Sequence, residues 1–142
     1  MKAEIFLGIS DIDRKYYRYK TKKGYLSPEV VLKFVADNSK ISIADLASSS
    51  RKQEIAKYRH CYAWLYRQLM LKKGYMTTMV RNNQMPAFYK AKFATDGQVM
   101  KLVGKKHCTG DNAYKSFEHR LLTDKELKQK AYQWLEELNS IL

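Results

Sequence analysis

The stretch Thr95–Lys128, TDGQVMKLVGKKHCTGDNAYKSFEHRLLTDKELK, decides how the chain is read. A side-chain oxygen of Thr95 or Asp96 is placed to cap a first short helix. Val99, Leu102 and Val103 give that helix one apolar stripe. Gly104 follows as a left-handed stop, because it has no Cβ to clash. Lys105, Lys106, His107, Cys108 and Thr109 come next, and then Tyr114, Phe117 and Leu121 recur at helical spacing. A helix, a glycine turn and a second helix opening on Lys, His and Thr predict a helix-turn-helix. In such a motif the N-terminal end of the second helix meets base edges.

The totals agree with a polyanionic partner. In 142 residues there are 27 Lys and Arg against 14 Asp and Glu, a formal charge of +13. That balance favours nucleic acid first and an anionic membrane surface second. Forty-five per cent hydrophobic residues and two prolines argue for a folded chain with one modest core. No apolar run is long enough to span a bilayer; of the two candidate partners nucleic acid is the one expected, and no membrane partner. The start, MKAEIFLGISDID, is too short in apolar length for a signal peptide, and a cytoplasmic protein is expected. Cys61 and Cys108 form no disulfide or zinc pattern, and His60, His107 and His119 are scattered. No metal and no cofactor is expected.

Working outward from the motif, residues 1–26 read as a basic, aromatic arm. Its stretch RKYYRYKTKKGYLS, Arg14–Ser27, holds six basic residues and four tyrosines with no acid. Two uses stay open: stacking on bases while cations hold phosphates, or a solvated arm whose tyrosines cover the core. Residues 27–142 read as a helical DNA-binding domain. Ser27-Pro28-Glu29 is a helix start, and Val30, Val31, Phe34 and Val35 supply its buried stripe. Ser42-Ile43-Ala44-Asp45 resembles a capping box opening a helix through Ala47. The polar loop Ser48–Lys52 feeds a long helix with Ile55, Tyr58, Tyr62, Leu65 and Leu69 on one face. Arg51, Lys52, Lys57, Arg59 and Arg67 make much of the remainder basic. At about residues 70–94 an inserted β-hairpin is expected, around the turn signal Arg81-Asn82-Asn83-Gln84. In the last segment Thr123 and Glu126 predict a capping box, with Leu127, Ala131, Trp134, Leu135 and Leu138 facing inward.

Two blocks of this chain resemble the C-terminal duplex-DNA-binding domain of the bacterial replication initiator DnaA, a helix-turn-helix domain of the Trp-repressor-like superfamily. ISIADLASSSRKQEIAKYRHCYAWLYRQL is similar to the family's I-x-x-x-D-L-x-S-x-x-R-x-x-x-[IV]-x-x-x-R-x-x-A-x-x-L-x-R-x-L. Val99-Met100 stands where the family has Ile-Gly. Gly104-Lys105-Lys106-His107-Cys108-Thr109 stands where it has G-[RK]-D-H-[ST]-T, and Thr123–Leu127 where it has T-D-K-E-F. The resemblance implies a mainly α, multi-helix bundle. It implies that Arg51 enters a minor groove, where a narrow groove concentrates negative potential. It implies that the helix near Lys106–Asn112 enters the major groove, with His107 and Thr109 reading bases.

Three positions depart from the family. Lys106 replaces an Asp, so an acceptor suited to a cytosine amino group becomes a donor. Cys108 replaces a hydroxyl residue. Gly110 replaces an apolar one and is expected to delay the helix start to Asp111. The family's ATPase motif, G-x-x-x-x-G-K-[ST], does not occur, so a standalone module is expected.

The expected function is sequence-specific binding of double-stranded DNA in replication control or transcriptional regulation, with a protein partner there as a further expectation. Arg51, Lys52, Lys57, Arg59, Lys105, Lys106, His107, Cys108, Thr109, Asn112 and Lys115 are the expected contacts. Two other classes compete: a basic adaptor for an acidic protein, and a single-stranded nucleic-acid or RNA binder acting through Arg14–Tyr25. A metal-dependent nuclease would need converging carboxylates, and no spacing reveals them, so no enzyme is expected.

Overall fold

A computed structural model describes residues 25–73, 93–104 and 109–142. Six helices occur among the described residues: α1 (Pro28–Ser39), α2 (Ile43–Leu46), α3 (Gln53–Lys72), α4 (Asp96–Lys101), α5 (Thr109–Leu121) and α6 (Lys125–Ile141). They form a mainly α helix-turn-helix bundle, as the sequence leads one to expect. The hairpin expected at about 70–94 falls mostly outside the described residues. Met70, Leu71 and Lys72 continue α3, and Phe93 makes an isolated parallel bridge to Leu26.

The bundle is built around α3, which packs against all five other helices or their connections. The sequence suggests one apolar face on this helix. The structure instead buries Tyr58, Arg59, Cys61, Tyr62, Ala63, Trp64, Leu65 and Tyr66 in near succession, then Leu69 and Met70. The signal was the run Cys61–Tyr66, apolar at every position; a helix apolar all round is a central one. Trp64 lies between Phe117 of α5 and Tyr132 of α6, at ring distances of 5.4 and 5.3 Å.

Buried tyrosines need partners for their hydroxyls, and here those partners are backbone groups of neighbouring segments. Tyr62 donates to Val99 O and Tyr66 to Leu26 O, each at 2.6 Å. The Tyr66 hydroxyl also accepts from Ala94 N at 2.6 Å. One phenol therefore anchors both segments of the Leu26–Phe93 bridge to the central helix.

The helix ends follow the expected chemistry, with shifts of detail. Ser27 precedes Pro28 as expected, but its hydroxyl caps no backbone N–H; it donates to Glu29 Oε2 at 2.8 Å, a carboxylate being the stronger acceptor. Ser42 accepts from Asp45 N, and α2 stops at Leu46 with Ala47 as its C-cap. Thr95, not Asp96, caps α4 in a complete box with Gln98. The cap of α6 is Asp124, whose Oδ1 accepts from Leu127 N at 3.0 Å. Thr123 instead donates to Arg120 O at 3.3 Å, since a full negative charge suits the positive helix end better than a hydroxyl.

Gly104 has φ +70°, and a Cβ there would lie 2.7 Å from the Ala47 carbonyl oxygen. Gly104→Ala should lower stability by about 2–4 kcal/mol in denaturant titration, from left-handed strain plus the clash. Asn tolerates the left-handed region but keeps a Cβ. Full recovery by Gly104→Asn would show that the contact with Ala47 contributes nothing.

Candidate nucleic-acid interface

The connection between α2 and α3 is short, polar and tightly hydrogen-bonded. Ser48 Oγ donates to Asp45 O at 2.6 Å and accepts from Ser50 N at 3.2 Å. Ser50 Oγ accepts from Lys52 N at 3.3 Å. Beneath this chain of turns lies Arg59, only 4 % exposed. Its Nε donates to Leu46 O at 2.8 Å, and one terminal nitrogen donates to Ser48 O at 2.8 Å and Ser50 O at 3.4 Å. A planar fork of five donors suits that task, and a flexible ammonium would not. Burial lowers the Arg59 guanidinium from its ordinary value, though a group starting that high keeps its charge.

Arg59 was expected among the DNA contacts, and the structure places it inside, holding the loop from below. The reason is tertiary: the carbonyls of Leu46, Ser48 and Ser50 converge on one point that a single buried cation can serve. Arg51 and Lys52 stand exposed on the loop above it. Lys57, also expected as a contact, is half-buried, 2.8 Å from Glu54 and over the Tyr58 ring.

The second part of the site is α5. Gly110, Ala113, Phe117 and Leu121 turn inward, while Asn112, Lys115, Ser116 and His119 form the outward stripe at i, i+3, i+4 and i+7. The helix begins at Thr109, so Gly110 does not delay it; being buried in the first turn, it loses no exposed backbone to water. Lys105, Lys106, His107 and Cys108 lie outside the described residues. Gly104, the last described residue before them, touches Ala47 at the root of the basic loop. The end of α4 and the C-cap of α2, from which the basic loop leaves, are thus adjacent.

Reading the sequence missed what joins α3 to α5. Arg67 lies 3.2 Å from Asp111 Oδ1, with its guanidinium over the Tyr114 ring at 4.2 Å. Lys115 lies 2.9 Å from Asp111 Oδ2. Gln68 donates to the Tyr114 hydroxyl at 2.7 Å. The Lys115 ammonium, and after it Arg67, hold the Asp111 carboxyl below the usual range against an opposing rise from partial burial. Burial, with Glu118 second, pushes the Tyr114 phenol up to about 12. No local signal marks this clasp, because its partners are 44 residues apart in sequence.

Chemistry of other kinds has less to stand on. Among the described residues no group of three His, Cys, Asp or Glu is placed to hold a metal ion. Cys61 is wholly buried, and burial pushes its thiol up, away from a reactive thiolate. No helix among the described residues is long and apolar enough to cross a membrane.

Residues 28–77 match the family of the bacterial DnaA protein helix-turn-helix. The DnaA match runs from the first residue of α1 through the end of α3 and takes in the whole basic loop. Helices α4 and α5 lie beyond it. No solved structure matches the chain.

Two outcomes test the geometry above. Arg59→Leu should destabilise the protein by about 2–4 kcal/mol in denaturant titration, because it leaves buried carbonyls without a donor. Asp111 titrates below the ordinary carboxylate range, so its stabilisation is complete above about pH 4 and is lost as pH falls through its folded-state value. Asp111→Asn should therefore melt below the wild type near neutrality, and the gap should narrow as the pH is lowered through and below the usual carboxylate range.

Proposed function

We propose that this protein binds double-stranded DNA with sequence preference, through α5 in a major groove and Arg51 in the adjacent minor groove. The observation that carries the reading is the contact of Gly104 with Ala47. It sets the C-cap of α2, from which the loop carrying exposed Arg51 and Lys52 leaves, beside Gly104, which Lys105 and Lys106 follow directly in sequence. Arg59 supports the same reading by holding the loop in one shape before DNA arrives, which lowers the ordering cost of binding.

In this reading Lys52, Lys57, Lys105 and Lys115 neutralise phosphates and release counterions, a term without sequence information. Lys106, His107, Cys108, Thr109 and Asn112 meet base edges in the major groove. Residues 27–142 act as the binding unit and 1–26 as an arm. The protein works without catalysis, in the cytoplasm, in replication control or transcriptional regulation.

The test is a fluorescence titration of the full chain against three probes: a duplex recovered from a random-sequence selection, a scrambled duplex and the single strand. The selected duplex should bind tightest, and all binding should weaken steeply with salt. Arg51→Ala should weaken duplex binding about 10-fold, corresponding to a contact of about 1–2 kcal/mol. Lys106→Asp should change the preferred base at one position. Equal or tighter binding of the single strand would overturn the reading and favour the RNA or single-strand class.

A further inference from the structure

The carboxylate of Asp111 is out of place on a surface meant for a polyanion. It sits in the first turn of α5, half-exposed, beside the outward stripe that includes Asn112 and Lys115. Two cations hold it there from opposite sides: Arg67 of α3, itself nearly buried, and Lys115 one turn further along α5. Arg67 is in turn seated on the Tyr114 ring, and Gln68 fixes the Tyr114 hydroxyl. The carboxylate is therefore not a wandering surface acid. Its position and rotation are set by the central helix.

Such a group has two effects on an approaching duplex. It opposes phosphates, and it competes with them for Lys115, so binding through the backbone alone is penalised. Each of its oxygens keeps a second lone pair, so it can still accept a hydrogen bond from a base. In the major groove the groups that donate are the exocyclic amines of cytosine and adenine. On the duplex-binding reading above, we propose that Asp111 is a specificity-determining residue: its charge lowers binding to any duplex, and an exocyclic amino group on one base of the preferred site offsets that loss. Arg67 is the positioning residue that keeps the acceptor aimed.

The experiment compares wild type and Asp111→Ala on the selected and scrambled duplexes, and repeats the random-sequence selection with the variant. Scrambled duplex should bind about 3- to 10-fold tighter to the variant, as expected for removing one charge near phosphates. The selected duplex should gain less, so the ratio between them falls, and the variant's recovered sites should lose the cytosine or adenine at one position only. Arg67→Met, which keeps the carboxylate but frees it from α3, should also lower the ratio. Equal gains on both duplexes, or an unchanged set of recovered sites, would overturn the proposal while leaving duplex binding intact. Failure of the wild type to prefer duplex over single strand would overturn the underlying reading and this proposal with it.

Discussion

Everything in this molecule depends on burying the middle of a 20-residue helix on all sides. An isolated helix of that length is marginal in water, and its stability comes from what covers it. Covering α3 takes α1, α5 and α6 around its apolar run, with α2 and α4 at its flanks. Those positions are not independent choices. Each neighbour must fill the space left by large side chains such as Trp64, Tyr62 and Tyr66, all fully buried. Interiors of this density leave little room for sliding, so the covering helices are held in fixed relation to one another.

The candidate interface inherits that rigidity. Three side chains of α3 also hydrogen-bond or pair with the neighbouring segments and hold them. Arg59 gathers the carbonyls of the basic loop, Tyr62 holds the Val99 carbonyl of α4, and Arg67 holds the first turn of α5. A cation in such a role acts through backbone or carboxylate partners and is lost to solvent. The +13 total therefore overstates what is offered to a polyanion. Arg59 and Arg67 belong to the framework. Lys130, bonded to the Tyr58 hydroxyl at 3.0 Å and lying over the Tyr58 and Trp134 rings, belongs to it as well. Arg51 and Lys52 are exposed on a loop whose backbone is already ordered.

Glycine at position 104 lets the end of α4 lie against the C-cap of α2. Its conformation lies where other residues are strained, and its missing Cβ leaves room for the Ala47 carbonyl. A stop signal read locally as the end of α4 is thus also the contact that joins two separate parts of the surface. The two requirements coincide at one residue, and no side chain satisfies both.

The sequence by itself determined the helices and their limits. Apolar spacing placed α1, α3, α5 and α6, and short polar side chains marked the starts of α1 and α6 to within a residue, because caps and periodicity are local properties of a chain; α5 begins two residues before the expected Asp111. Composition and motif spacing pointed to a basic helix-turn-helix. Tertiary structure decided the rest. It turned α3 from an amphipathic helix into a central one, moved Arg59 from the surface to the interior, and paired Arg67 with Asp111. The same residue type at even spacing, Arg51, Arg59 and Arg67 at intervals of eight, yields one exposed side chain and two held ones. Burial and long-range pairing depend on which segments come to lie alongside, and one-dimensional spacing carries no record of that.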